Sequence, residues 1–185
     1  MKRITMLAMA MLGVLVIGGA GAGSVSAQSH EFIANKTGKT KSAGTTAQIF
    51  KTGSGTVECT TVTGTGEIAA GKTTTHKEVL TFSGCTGFGG KATVSAAHFE
   101  YNANGPAKLE KEVTIKPEGL SCEMVIEPQT VESLSYENDS GKLKSAASIS
   151  KIKAKGTGGV CGGSTEATYG GTIVGELEGG TLEWK

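Results

Sequence analysis

The sequence predicts an all-β protein, an antiparallel β-sandwich or barrel-like single domain with two disulfides, and three observations predict it. The chain is dense in Thr and Gly, with 29 glycines, and poor in Leu, helix caps and Ala-rich helical stretches, which suits pleated strands joined by tight turns. Apolar residues recur at every second position in several segments, placing one face of each inward. Four cysteines, Cys59, Cys85, Cys122 and Cys161, follow a leader of the export type and read as two disulfides of an oxidising compartment.

The leader comes first in the chain. Lys2 and Arg3 precede an apolar run from Ile4 to Ile17, then small residues ending Val25-Ser26-Ala27. This is the order of a secretory signal peptide over residues 1–27, with the mature chain starting at Gln28. The run is shorter than the ~20 residues of a membrane span and dissolves into Gly and Ser. Gln28, not a cysteine, stands immediately after the cleavage site, which argues against a lipid-anchored lipoprotein. Residues 28–185 then form one all-β domain, 185 minus 27 or 158 residues, long enough to bury a core.

Strands are expected at His30 to Ala34, Ala47 to Lys51, Gly55 to Thr63, Thr74 to Ser83, Lys91 to Tyr101 and Ala107 to Lys116. Further strands are expected at Ser121 to Glu127, Val131 to Glu137, Lys142 to Lys155, Ala167 to Leu177 and Thr181 to Trp184. Phe32 and Ile33 give the first strand something to bury, and Asn35 to Gly44 reads as a long loop after it. Leu109, Val113 and Ile115 share a face, with Lys111 intruding; Cys122, Met124 and Ile126 share another; Tyr169, Ile173 and Leu177 a third. The apolar phase shifts between Ile149 and Ile152, which predicts a bulge or two strands there. Glu137-Asn138-Asp139-Ser140-Gly141-Lys142 is the clearest hairpin turn, because Gly141 tolerates positive φ.

Three connectivities are open to four cysteines. Sequential pairing, Cys59 with Cys85 and Cys122 with Cys161, closes the shortest loops and is favoured. A zinc site lacks the C-x-x-C and Cys/His spacings it needs, so no metal is expected.

Motifs that imitate known chemistry lack its context. Gly66 to Thr73 matches G-x-x-x-x-G-K-T in letters, but an alternating strand follows where a phosphate-binding helix belongs, so it reads as a hairpin connection. Gly64-x-Gly66-x-x-Ala69 imitates a dinucleotide fingerprint without a βαβ unit. His76 and His98 suit hydrogen-bonded strand histidines better than a two-histidine metal site. Glu100, Glu123, Glu127 and Glu132 supply carboxylates for glycoside hydrolysis, and surface glutamates are the commoner use. Asn35-Lys36-Thr37 and Asn138-Asp139-Ser140 fit the glycosylation acceptor and read as polar loop sequence in a bacterial protein. No nucleophile elbow accompanies the serines, and no catalytic residue is assigned.

Charge narrows the partners. Removing Lys2 and Arg3 leaves 16 basic against 17 acidic residues, a net of −1, and Arg3 is the sole arginine. A mature chain without arginine is poorly equipped for phosphorylated ligands, so neither nucleic acid nor nucleotide is expected, and no cofactor. Nine mature aromatics without paired girdles argue against a membrane barrel.

The segments Gly55-Thr56-Val57-Glu58-Cys59-Thr60-Thr61, Phe82-Ser83-Gly84-Cys85-Thr86-Gly87-Phe88-Gly89, Cys122-Glu123-Met124-Val125-Ile126-Glu127-Pro128-Gln129 and Val160-Cys161-Gly162-Gly163 resemble those of secreted, Thr/Gly-rich, cysteine-paired β proteins of soil actinobacteria. The resemblance covers most of the mature chain and implies export and a cysteine-stapled β fold. It carries over no catalytic residue. The chain departs from the group in lacking a further central cysteine pair.

The reading that results is a secreted, non-enzymatic structural or cell-surface module whose specific role and partner the sequence does not name, with an envelope glycan or another surface protein as the candidate partners. The first alternative is an envelope-glycan binder, for which Trp184 and Tyr101 are the ligand-contact candidates on an open sheet face. The second is a small secreted hydrolase, which requires His76 or His98 to meet a serine or glutamate in a cleft.

Overall fold

The computed structural model describes residues 29–132, 134–163 and 166–185; the expected leader and the cleavage site lie outside the described residues. The strands run β1 (Phe32–Ala34), β2 (Gly38–Gly44), β3 (Gln48–Thr52), β4 (Gly55–Ile68), β5 (Gly71–Thr73), β6 (Thr75–Gly87), β7 (Gly90–Val94) and β8 (Ala97–Asn102). They continue with β9 (Ala107–Leu109), β10 (Val113–Pro117), β11 (Glu123–Ile126), β12 (Gln129–Val131), β13 (Leu134–Asp139), β14 (Lys142–Thr157), β15 (Glu166–Leu177) and β16 (Leu182–Trp184). A single 3-10 turn, Gly159–Cys161, is the one helical element among the described residues.

The pairings close on themselves. Going round, β3 pairs β4, β4 pairs β6, β6 pairs β7, β7 pairs β10, β10 pairs β11, β11 pairs β14, β14 pairs β15, and β15 returns to β3, all antiparallel. Of the two architectures expected, this eight-strand circuit is the barrel. A closed wall leaves no bare edge along the circuit, which removes the template for edge-to-edge aggregation. Towards the other end the long strands exchange neighbours. There β6 pairs β8, β8 pairs β9 and β9 pairs β12, while β14 pairs β13 and β15 pairs β2.

The seam between β12 and β14 is completed by a side chain. Gln129 accepts from the Lys153 amide at 2.8 Å and donates to the Lys153 carbonyl at 2.9 Å, as a ladder residue would. It does so beside the predicted irregularity, where the register slips between Ile149 and Ile152 and Lys151 takes φ 57°. The predicted hairpin turn is present too: Ser140 and Gly141 adopt φ 53° and 81°, both positive as a two-residue type I′ turn requires, and they join Asp139 to Lys142.

Alternation sends Phe50, Phe82, Leu80, Ile115, Met124, Ile126, Ile149 and Tyr169 into the barrel as one buried cluster. Outward positions carry Lys39 and Lys41 on β2, Glu58 and Glu67 on β4, Lys77 on β6, Lys153 and Lys155 on β14 and Glu176 on β15. Such a wall has no apolar band for lipid. Among the described residues no helix is long and apolar enough to cross a membrane.

Both favoured disulfides are present. Cys59 and Cys85 stand directly opposite each other on β4 and β6, and Cys122 bridges to Cys161 with their Cα atoms 5.4 Å apart, tying the start of β11 to the turn after β14. Each bridge joins neighbouring parts of the wall.

Several boundaries differ from expectation. Asn35 to Gly44, expected as a loop, contains β2, and Lys91 to Tyr101, Ala107 to Lys116 and Val131 to Glu137 each break into two strands. The breaks at Ser95-Ala96 and at Glu110 to Glu112 are where the wall divides between the two sets of partners. A third difference concerns the far end of the barrel, which is covered by a small sheet in which β1 pairs both β16 and β5. Its Phe32 and Leu182 are 0% and 1% exposed and plug the opening.

Candidate functional site

Beneath that cap the interior turns polar. On β6 the inward series is His76, Glu78, Leu80, Phe82, so two polar side chains precede the apolar ones. The facing inward positions are Thr40 and Ser42 on β2 and Gly64 and Gly66 on β4. The glycines make the room. A Cβ at Gly64 would lie 2.0 Å from Ser42 Oγ and 2.4 Å from Glu78 Oε1, and one at Gly66 would lie 2.3 Å from the Lys77 carbonyl oxygen.

Glu78 is 6% exposed and His76 7% exposed. A cavity of about 20 Å³ lies among Thr40, Ser42, His76, Glu78, Tyr136 and Ser145, closed by Phe32 and Leu182. That volume accommodates one water-sized particle. His76 Nε2 lies 3.3 Å from Thr40 Oγ1, and the ring meets Phe32 edge-on at 6.4 Å. His76 Nδ1 and the Tyr136 hydroxyl are buried without an aligned protein partner.

Among the described residues lining that cavity none is a cation. Burial pushes Glu78 up to about 7, and a hydrogen bond with the Ser42 hydroxyl pulls the other way. Burial likewise holds His76 down at about 4, opposed by the Glu67 backbone. At pH between those two values both groups are neutral. Tyr101 and Tyr136, at the same end, are raised above the ordinary phenol range by burial, and Tyr101 also feels Glu78. Buried acid and imidazole with displaced pKa values beside a cavity mark a candidate functional site.

A second concave region of about 970 Å³, open to solvent, crosses the outer face of β2, β4, β6 and β8, and Thr40, Gly66, His76 and Glu78 of the interior cluster border it as well. Its charges are largely spoken for: Lys41 pairs Glu178 at 2.5 Å, and Lys77 reaches Glu100 at 3.1 Å and Glu110 at 2.5 Å. Pairing holds Glu178 and Glu110 below the usual carboxylate range.

The two ligand-contact candidates lie elsewhere than on an open sheet face. Tyr101 is buried at 7% exposure, opposite His76 in the barrel interior. Trp184 is half-buried in the cap, stacked on His30 at 4.2 Å with its indole N–H donated to the Ala103 carbonyl at 2.7 Å. Its polar edge and one ring face are thus spent on its own fold.

His76 and His98 face opposite sides of the wall: His76 looks inward opposite Tyr101, and His98 outward opposite Val79. Among the described residues no three His, Cys, Asp or Glu side chains gather where they could hold a metal ion. His76 meets a threonine, in the closed interior. Of the four glutamates considered for glycoside hydrolysis, Glu100 and Glu123 are taken by Lys77 and Lys116, while Glu127 and Glu132 are exposed. The letters Gly66 to Thr73 span the end of β4, a turn and β5, with no helix after them. Both Asn-x-Ser/Thr asparagines are engaged, Asn35 by the Thr181 amide and Asn138 by the backbone of Trp184 in two bonds.

The polar cluster escaped sequence reading because its signal is split over three strands. Thr40-x-Ser42, Gly64-x-Gly66 and His76-x-Glu78 each alternate, and only the register shows that they converge. No family model, no curated protein and no solved structure matches the chain.

Proposed function

We propose that this chain is a secreted, non-enzymatic structural module of the extracellular or cell-surface space. The observation that carries the reading is the pairing of all four cysteines within one closed wall, a use of thiols suited to an oxidising compartment. Residues 1–27 supply the export signal, and the resemblance to secreted actinobacterial β proteins points the same way. Lys–Glu pairs on the outer face keep the module in water. The positions of Tyr101 and Trp184 favour a structural module over a glycan binder, since neither offers a stacking face on an open sheet.

The test is expression of the whole chain, with and without residues 1–27, in a bacterium with an oxidising export route. The module reading expects the full chain in medium or envelope and oxidised, with the leaderless form retained in the cytoplasm. Full-length chain held in the cytoplasm with reduced cysteines would overturn it.

A further inference from the structure

The cap and the acid beneath it belong to one mechanical unit. Phe32 and Leu182 form the lid of the cavity that Glu78 lines. Phe32 also packs edge-on against Tyr136 at 5.2 Å, and Trp184 lies 6.1 Å from the same ring. The cap is built from three-residue strands at the two ends of the described chain plus β5. Hydrogen bonds tie it to the barrel, among them Leu182 N–H to Gly141 O at 2.9 Å, Trp184 N–H to Asn138 Oδ1 at 2.7 Å, Asn138 Nδ2–H to Trp184 O at 2.8 Å, the Trp184 indole N–H to Ala103 O at 2.7 Å and His30 N–H to Asn104 Oδ1 at 2.9 Å, with no strand of the cap in the wall's ladder. A short sheet outside the main ladder opens at less cost than the wall itself.

We propose that the three-stranded cap is a proton-operated closure, seated while Glu78 carries its proton and lifting to admit water when that proton leaves. The titratable groups facing the carboxyl are His76 on its own strand, Tyr101 on β8 and Tyr136 on β13. The facing positions of β2 are Thr40 and Ser42, that of β14 is Ser145, those of β4 are glycines, and β15 and the cap present Ile173, Phe32 and Leu182. None of these is a cation. An ionised Glu78 therefore has no cation to be drawn towards, only the Ser42 hydroxyl, and hydration is the further relief open to it. Water reaches the cavity by the route that breaks the fewest strand pairings, past Phe32 and Leu182. Two buried polar atoms without an aligned partner, His76 Nδ1 and the Tyr136 hydroxyl, become accessible to water in the same event. The closure is independent of where the chain works.

The experiment is hydrogen exchange of the Leu182 and Trp184 amides in the full chain and in Glu78→Gln, corrected for intrinsic rates. Taking the ratio of the two proteins cancels the contribution of His76 and the surface groups. If opening returns Glu78 to its ordinary value, the wild-type to E78Q ratio of cap opening rises from about twofold at pH 4.5 towards about 300-fold at pH 8.5. The Ile115 and Met124 amides on the disulfide-bridged half of the barrel should not follow. A ratio flat with pH, or an equal rise at Ile115 and Met124, would overturn the closure. Should E78Q fail to fold, carboxyl NMR of the wild type decides: Glu78 and the Leu182 and Trp184 amides must titrate with one midpoint, and different midpoints refute the coupling.

Discussion

His76 and Glu78 make opposite demands on pH, and single substitutions should separate them. Burial raises Glu78 from 4.5 to about 7, so the folded protein keeps this proton longer than the unfolded chain does. The stability linked to it is fully present below pH 4.5 and is lost as pH rises through 7, a total of about 3 kcal/mol. His76 is lowered from 6.5 to about 4. Its contribution is present above pH 6.5 and lost as pH falls through 4, again about 3 kcal/mol. The two windows mirror each other, so their sum in the native protein varies by less than about 1 kcal/mol between pH 4.5 and 8.5. Glu78→Gln leaves the histidine limb alone, and its unfolding free energy should fall by about 3 kcal/mol from pH 7.5 to 4 relative to wild type. His76→Gln leaves the acid limb, with a fall of about 3 kcal/mol from pH 4.5 to 7.5. Urea unfolding followed by Trp184 fluorescence measures all three proteins, and surface groups contribute a common background. Parallel pH profiles for the two variants would refute the reasoning, as would an alkaline fall retained in E78Q.

Other expectations follow from the wall. Removing the bridge between Cys122 and Cys161 as a double Ser variant should cost about 4 kcal/mol, and removing Cys59–Cys85 about 3.5 kcal/mol, by loop-entropy reasoning for separations of 39 and 26 residues; calorimetry under non-reducing conditions checks both. Gly156→Ala places a Cβ 1.5 Å from the Cys161 carbonyl oxygen, a backbone clash that should destabilise by about 3 kcal/mol or prevent the bridge, read from denaturation and thiol titration. Gln129→Ala removes the two bonds that finish the seam and should cost about 1 to 3 kcal/mol, with faster amide exchange at Lys153.

Where the inner face is apolar, the fold was legible in the residues. Tyr169, Ile173 and Leu177 alternate into the core of β15 as expected, and the Ser140-Gly141 turn and the irregularity between Ile149 and Ile152 follow from local chemistry alone. β2 was not legible, because its inward residues are Thr40 and Ser42 and its outward ones Lys39 and Lys41. A strand with two polar faces reads as a loop unless it is known to line a polar interior. The same blindness hid the candidate site. Gly64 and Gly66 resembled a nucleotide fingerprint, whereas their use is to leave space for Ser42, Glu78 and a neighbouring backbone carbonyl. The aromatic type of Tyr101 suggests a ligand contact, but alternation with Phe99 and Ala97 opposite Leu80, Glu78 and His76 points it inward.

The most direct test of a secreted, stapled barrel is the intact mass of the exported protein, with alkylation before reduction, followed by a non-reduced peptide map. The account expects a chain beginning at Gln28, no alkylated cysteine, and Cys59 linked to Cys85 and Cys122 to Cys161. Free thiols, crossed pairings or a retained leader would contradict it.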